Sequence, residues 1–194
     1  PVFEFGGDNL GDSVNGRPFF SRNIGLVHDQ PVDIVAGGKL SGQAGRLGVG
    51  GLVVSTGDTA STEGQLLSVM RLSHPVLDES RIGVIFTNGD PTGETENTVA
   101  GGDFQFRNST WLQGDTIKAD IYYERSFSDA FGEDDSFGVS IDLPNEPFGA
   151  GFRFKEVGLG FSPALGFVNR PGIRSYEGHA GLHQALEDES AFRW

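Results

Sequence analysis

The side chains best suited to chemistry in this sequence are carboxylates in two stretches that are rich in acidic and turn-forming residues. Calcium is bound by several oxygen ligands on a flexible loop, and both stretches supply such atoms. Neither has EF-hand spacing, and acidic loops often serve only to keep a surface hydrated. We therefore interpret both stretches as solvated loops and predict no cofactor, with calcium as the alternative. The candidate ligands are Asp90, Glu94 and Glu96 in one stretch and Asp129, Glu133, Asp134 and Asp135 in the other.

Histidines offer a weaker metal pattern. His179 and His183 form H-x-x-x-H without the glutamate of a zinc-protease helix. We predict a strand here, on which the two rings would share a face but stand ~13 Å apart, too far for one metal ion. No zinc site is predicted.

Pairs of carboxylates could hydrolyse glycosides, a reaction that all-β folds often host. The candidate pairs are Asp120 with Glu124, and Asp142 with Glu156. No clustered acidic motif marks a catalytic strand, and the G-x-S-x-G elbow of serine hydrolases is absent. With twenty-seven acidic residues in the chain, chance pairing is the better explanation of both pairs, so no catalytic residue is assigned.

Composition excludes several classes of function. The formal net charge of -13 argues against binding to nucleic acid or to an anionic lipid surface by bulk electrostatics. The absence of cysteine excludes disulfides, thiolate metal sites and cysteine nucleophiles. No apolar run approaches the ~20 residues of a membrane helix, whereas a membrane-spanning strand needs only ~9–11 alternating residues.

Alternating apolar and polar residues predict an all-β fold. Phe148, Ala150, Phe152 and Phe154 lie on one side of a strand whose other side is polar, and similar rows recur along the chain. We predict an irregular segment over residues 1–30 and an antiparallel sheet over 31–194, to which residues 2–5 could add a tenth strand. The nine candidate strands are 32–41, 46–54, 65–73, 81–87, 98–106, 115–125, 136–143, 148–156 and 173–183.

The links between these strands are alternately short and long, which favours an antiparallel meander. Short turns at one end and long loops at the other are typical of a transmembrane β-barrel, or an arc of one. A soluble β-sandwich or jelly roll gives the same strand alternation and remains the alternative.

In the barrel interpretation, apolar faces such as the one around Ile121 meet lipid and polar faces line the interior. The acidic loops would lie outside, where they could share divalent ions with lipopolysaccharide. The predicted interior set comprises Lys118, Asp120, Glu124, Arg153 and Lys155. Aromatic residues that could form the girdle at the lipid interface are Trp111, Tyr122, Tyr123, Tyr176 and Trp194.

Four blocks of the sequence form a recognisable pattern, at residues 17–26, 34–52, 80–91 and 156–176. The most specific block is the last, EVGLGFSPALGFVNRPGIRSY. In order and spacing the blocks resemble a family of bacterial outer-membrane β-barrels of unknown function, and they extend over most of the chain. In that family the barrel typically follows a carbohydrate-binding family-9-like domain.

This resemblance implies the outer membrane of a Gram-negative bacterium, contact with lipid and lipopolysaccharide, and a carbohydrate-related role such as glycan binding or passage. It also implies a carbohydrate-binding-like domain before the barrel and further strands on both sides. Because the first residue is Pro1, we expect a processed product or a fragment. The soluble alternative predicts a periplasmic or secreted carbohydrate-binding module or glycoside hydrolase.

Overall fold

The structure is a computed structural model, and its regular elements are almost entirely β-strands. It describes residues 2–7, 15–27, 30–59, 62–111 and 115–182. One turn of 3-10 helix lies at Ser21–Asn23. The strands are β1 (Leu26–Val27), β2 (Gln30–Pro31), β3 (Ile34–Ala44), β4 (Leu47–Thr56), β5 (Leu66–Val76), β6 (Ser80–Asn88), β7 (Asn97–Asn108), β8 (Ile117–Ser128), β9 (Gly132–Pro144), β10 (Phe148–Val157) and β11 (Ile173–Leu182).

Strands β3 to β11 form one nine-stranded sheet in which each strand pairs with its neighbours in sequence. Every pairing is antiparallel, so the predicted meander and all nine predicted strands are confirmed. Strands β1 and β2 form a separate hairpin that was not predicted. Within the described residues β3 and β11 each have a partner on one side only, and the sheet does not close into a barrel.

The tenth strand that was considered at residues 2–5 is wrong. This segment has no strand pairing. It lies across the sheet, where Phe3 packs beside a core cluster that contains Leu67 and Val69. The carbon at the tip of the Phe5 ring comes within 2.8 Å of where a Cβ of Gly101, in β7, would stand.

The alternation of link lengths holds with one correction. Residues 45–46, 77–79 and 145–147 are tight turns, and residues 158–172 are a long connection. The predicted long acidic loop after β8 is instead a short turn, because β8 and β9 run further than expected. Arg125 binds Glu133 at 2.6 Å across this extended hairpin, which keeps the acidic segment in the ladder.

Two irregular segments, residues 2–7 with 15–24 and residues 158–172, lie on the same face of the nine-stranded sheet. We call this the inner face and the opposite one the outer face. Leu165 packs on Leu67 and Val69, whereas Phe161 packs on Val99 and Val157. The apolar core therefore lies between the inner face and these segments.

Among the described residues, no helix has the length and apolar character needed to cross a membrane.

Candidate functional site: the two faces of the sheet

Strand register decides which residues share a face. In β8, Asp120, Tyr122 and Glu124 point to the inner face, while Ile121 and Tyr123 point to the outer face. The predicted alternation of this strand is thus confirmed. One row of directly paired residues on the outer face is apolar across the six strands from β6 to β11: Ile82, Phe104, Ile121, Val139, Phe154 and Tyr176.

The outer face exposes a broad band of large apolar side chains. Ile121, Ile141 and Phe152 are each 48% exposed, and Met70 and Val84 have nearly the same exposure. Monomeric soluble proteins rarely expose continuous apolar patches of this extent, because such surfaces associate in water. The outer face therefore needs an apolar partner.

Polar residues flank this band at the end of the sheet that carries the long connection. Arg125 contacts Glu133 and Asp135 there, and the Arg174 guanidinium binds Glu156 at 2.9 Å. These ion pairs lie on the outer face, beyond the apolar rows. The outer surface is thus an apolar centre with a charged rim.

The inner face holds charged side chains that are buried. Arg71 and Asp103 are almost inaccessible and form a two-pronged ion pair with distances of 2.5 Å and 3.0 Å. The amide of Gly6 and the side chain of Gln105 also donate to Asp103 Oδ2. Such bonds to a charged group are strong, and they satisfy a carboxylate that water does not reach.

Aromatic rings pack around the buried ion pair of Arg71 and Asp103. The Phe5 ring lies 5.4 Å from the Arg71 guanidinium carbon and 5.7 Å from the Tyr122 ring centre. Glu124 is fully buried nearby, and neither of its carboxylate oxygens has a hydrogen-bond partner among the described residues. The Tyr122 hydroxyl shares a 3.1 Å hydrogen bond with the Ser136 hydroxyl.

The long connection is held on the inner face by side chains of two strands, β7 and β8. The Asn97 amide donates to the Ser162 carbonyl at 2.7 Å and accepts from the Ala164 amide at 2.9 Å. Ser126 accepts a hydrogen bond from the amide of Ser162. These bonds replace the strand partners that an irregular backbone lacks, so the connection folds inward rather than away from the sheet.

The N-terminal segment joins the long connection through its backbone. Arg17 and Phe167 form an isolated antiparallel bridge, and the Asn15 side chain accepts from the amides of Asn169 and Arg170. Two of the sequence blocks that carry the family resemblance, residues 17–26 and 156–176, therefore meet on the inner face.

The predicted interior residues Lys118, Asp120, Glu124, Arg153 and Lys155 all lie on the inner face, as their strand register shows. The expectation that they share one face is confirmed.

Aromatic residues divide between the two faces. Tyr123 and Tyr176 are exposed on the outer face, and Trp111 is exposed just beyond β7. Tyr122 is 4% exposed on the inner face, so its placement in an outer girdle is wrong. The next residue, Tyr123, lies on the outer face instead, because successive side chains of a strand point to opposite faces. Trp194 lies outside the described residues.

The first predicted calcium stretch is a loop, and its residue Asp90 accepts hydrogen bonds from other residues of the same loop. Asp90 accepts hydrogen bonds from the amide and hydroxyl of Thr92 and from the hydroxyl of Thr95. Glu94 lies in the same loop. The carbonyl of Glu96 accepts from the amide of Asp129, which brings the two acidic stretches side by side.

The second stretch is a loop only at Asp129. Glu133, Asp134 and Asp135 belong to β9 and point alternately to opposite faces. Asp134 accepts from the Gly160 amide at 2.7 Å on the inner side, whereas Asp135 accepts from the Tyr123 hydroxyl at 2.7 Å on the outer side.

In the described part of the chain, no three His, Cys, Asp or Glu side chains are grouped to hold a metal ion. Calcium stays the alternative to solvated loops. His179 lies in β11 opposite Gly151, and its predicted strand is confirmed, whereas His183 lies outside the described residues.

Neither carboxylate pair forms an open catalytic site. Asp120 and Glu124 share the inner face and are both buried there. Asp142 pairs with Gly151 on the inner face, whereas Glu156 pairs with Phe137 on the outer face. Asp142 and Glu156 therefore cannot act on one bond.

The Arg71–Asp103 pair is the feature that sequence reasoning missed. Arg71 has the same parity in β5 as the buried apolar residues Leu67 and Val69, so strand alternation offered no signal for this pair. The two strands are not adjacent, because β6 lies between them. Gly83 of β6 leaves the space, since a Cβ there would fall 2.5 Å from Arg71 Nη1.

Comparison with known proteins adds no relative. No protein-family model matches the chain, and searches of curated proteins and of solved structures find no match either.

Proposed function

We propose that this chain forms part of the wall of an outer-membrane β-barrel, with its outer face against lipid and its inner face toward a partly filled interior. The observation that carries the proposal is that the inner face buries charged residues beside its apolar core, while the outer face exposes large apolar side chains. Charged residues such as Arg71 and Glu124 are buried on the inner face, while large apolar residues such as Ile121 and Phe152 are exposed on the outer face. A membrane barrel has this arrangement, with lipid covering the apolar side.

The dimensions of the sheet also support the proposal. Its strands have 9 to 13 residues, enough for a tilted crossing of the hydrocarbon layer. The charged rim at one end would then lie at the water interface, where it could contact lipopolysaccharide.

An open sheet leaves unpaired backbone groups, which hydrocarbon does not tolerate. The free edges of β3 and β11 would therefore pair with further strands in the assembled barrel. Closed bacterial barrels have an even number of strands, which a nine-stranded arc can reach only with such additions.

Glycan binding or passage is the proposed role of the assembled barrel, and its support is the family resemblance of the sequence blocks. The blocks at residues 17–26 and 156–176 cover the inner face and so line the route that a passing molecule would take.

The test is fractionation of bacterial cells that produce the assembled barrel, in which further strands pair with β3 and β11. We expect the protein in the outer-membrane fraction, extractable only with detergent. The variant Ile121→Arg should lose this assembly, because a charge at the bilayer midplane costs ~2–4 kcal/mol. Phe131→Arg is the matched control, since Phe131 lies in the turn after β8, outside the apolar rows.

Recovery of the wild-type protein in the soluble fraction without detergent would contradict the proposal. Equal assembly of the Ile121 and Phe131 variants would contradict the lipid-facing assignment of the outer face.

A further inference from the structure

A cavity of about 760 Å³ lies between the N-terminal segment and the inner face of the sheet. Its volume is within the range of small-molecule sites, which is roughly 300–1,000 Å³. Large apolar side chains from both sides of this gap line the cavity, and most of them are aromatic. They are Phe3, Phe5, Phe19 and Phe20 from the N-terminal segment, and Leu52 and Tyr122 from the sheet. The cavity therefore offers a ligand mainly apolar surface.

The aromatic rings of this wall pack against one another. Phe3 and Phe19 meet edge to face with ring centres 5.2 Å apart, and the centres of the Phe5 and Tyr122 rings are 5.7 Å apart. Such contacts fix the orientation of both rings of a pair. The four phenylalanines are only half-buried, so part of each ring is left for a ligand to cover. Covering apolar surface that otherwise meets water is favourable.

Charged side chains that line the cavity already interact with other groups of the protein. Glu4, Arg17 and Lys155 are of this kind. Lys39 lies beside the aromatic wall, with its ammonium nitrogen 6.0 Å from the centre of the Phe3 ring. Because a cation already faces this ring, a cationic ligand would gain little from it.

Two carboxylates of the sheet also lie at this wall. Asp103 accepts a hydrogen bond from the Gly6 amide at 3.3 Å. The Asp120 carboxylate lies against Gly7, where a Cβ would fall 2.5 Å from Oδ1. These carboxylates offset the basic residues, so an anionic ligand would lose its hydration without an excess of positive charge to replace it. The surroundings therefore favour an uncharged ligand.

We propose that this cavity binds an uncharged molecule with an aromatic body, which packs against the phenylalanine rings and Leu52. The ligand class follows from the wall, because aromatic rings gain from edge-to-face or offset contact with one another beyond the burial of area. The site goes beyond the proposed function, since it lies on the inner face and neither lipid contact nor glycan passage requires it.

The test is a fluorine NMR titration of the assembled protein in a non-ionic detergent. The probes are 4-fluorobenzyl alcohol, which is uncharged, and two ions with the same ring, 4-fluorobenzoate and 4-fluorobenzylammonium. A titration of protein-free micelles corrects for partition of each probe into detergent. We expect saturable binding of the alcohol at millimolar concentration, about five-fold tighter than binding of either ion, because each ion has to give up its hydration.

Adjacent residues of β4 provide a matched pair of variants. Leu52 lines the cavity, whereas Val53 is 47% exposed on the outer face. Leu52→Trp should fill the cavity and weaken binding of the alcohol about ten-fold, while Val53→Trp should change it less than about two-fold. Circular dichroism checks that both variants keep the strand content of the wild type.

Nuclear Overhauser effects in the wild type locate the probe without any substitution. At saturating alcohol, magnetisation transfer from the ring protons of the probe should reach the methyl groups of Leu52. Absence of this transfer would overturn the proposal.

Three outcomes of the titrations would also overturn it: no saturable binding of the alcohol, equal affinity for the alcohol and either ion, or equal loss in the two β4 variants. Methyl glucoside is the probe for the glycan role. Tighter binding of this sugar than of the alcohol would overturn the aromatic assignment while supporting glycan binding. Loss of membrane assembly in the Ile121 variant bears only on the outer face, so the proposals fail separately.

Discussion

Neighbouring residues of β8 experience opposite surroundings: the side chains of Tyr122 and Glu124 are buried, whereas those of Ile121 and Tyr123 are 48% exposed. In a water-soluble sheet the polar side chains would face outward and the apolar ones inward. Here the inner face uses ion pairs, hydrogen bonds and two irregular segments to stabilise its polar groups. The outer face has no such cover in the described residues. The difference favours an apolar environment outside the sheet, as the proposed barrel requires.

The largest contrast should come from ion pairs on the two faces. Asp103→Ala leaves the buried Arg71 without its partner, so it should lower the free energy of unfolding by about 3–5 kcal/mol. Glu133→Ala removes one of the two carboxylates that contact Arg125, which is 41% exposed, and should lower the free energy of unfolding far less. Urea unfolding in detergent micelles, followed by circular dichroism, measures both values. Equal losses of unfolding free energy in the two variants would contradict the claim that ion pairs are buried on the inner face and exposed on the outer face.

Two adjacent glycines of β7, one on each face, allow a second comparison of the inner and outer faces. A Cβ at Gly101 would fall 2.8 Å from the Phe5 ring and 2.9 Å from Glu124 Cβ. A Cβ at Gly102, on the outer face, would meet only the Gly83 carbonyl, at an ordinary 3.7 Å. Gly101→Ala should therefore cost about 1–3 kcal/mol of unfolding free energy, and Gly102→Ala almost nothing.

Limited proteolysis provides a second readout for these glycine variants. Displacement of Phe5 in the Gly101 variant should make the N-terminal segment easier to cleave. If the Gly102 variant is cleaved equally fast, the N-terminal segment does not rest on the inner face as described.

The smallest difference in stability is expected between variants of two asparagines near the same end of the sheet. Asn97→Ala removes two of the hydrogen bonds that hold the long connection and should cost about 1–2 kcal/mol. Asn88→Ala removes one exposed bond to Thr98 and should change stability by less than about 0.5 kcal/mol. Thermal unfolding of both variants beside the wild type measures the pair. A larger loss of stability in the Asn88 variant than in the Asn97 variant would contradict the role of Asn97 in holding the long connection on the inner face.

Local alternation was enough to predict the sheet. Rows such as Ile117, Ala119 and Ile121 have the period of a strand, and each of the nine strands was found near its expected place. The ends of β8 and β9 were missed, because the acidic residues there resemble a loop until Arg125 is placed opposite Glu133.

The coverage of the inner face could not be predicted, since it depends on contacts between distant segments. Arg17 meets Phe167, and Asn97 meets Ser162, without any periodic pattern in the sequence around them. The cavity lies beside such contacts, so its residues do not form a sequence motif. The outer face was predicted because it requires only the parity of each strand.

The most direct test of the account uses a nitroxide spin label at single cysteines, for which the chain is suited because it has no cysteine of its own. Labels replace Ile121 on the outer face and, as control, Phe131 in the turn after β8. In reconstituted bilayers, we expect the label at 121 to be relaxed strongly by oxygen, which concentrates in lipid, and weakly by a water-soluble nickel complex. The label at 131 should show the reverse. Strong relaxation of the label at 121 by the nickel complex would contradict the claim that the outer face meets lipid.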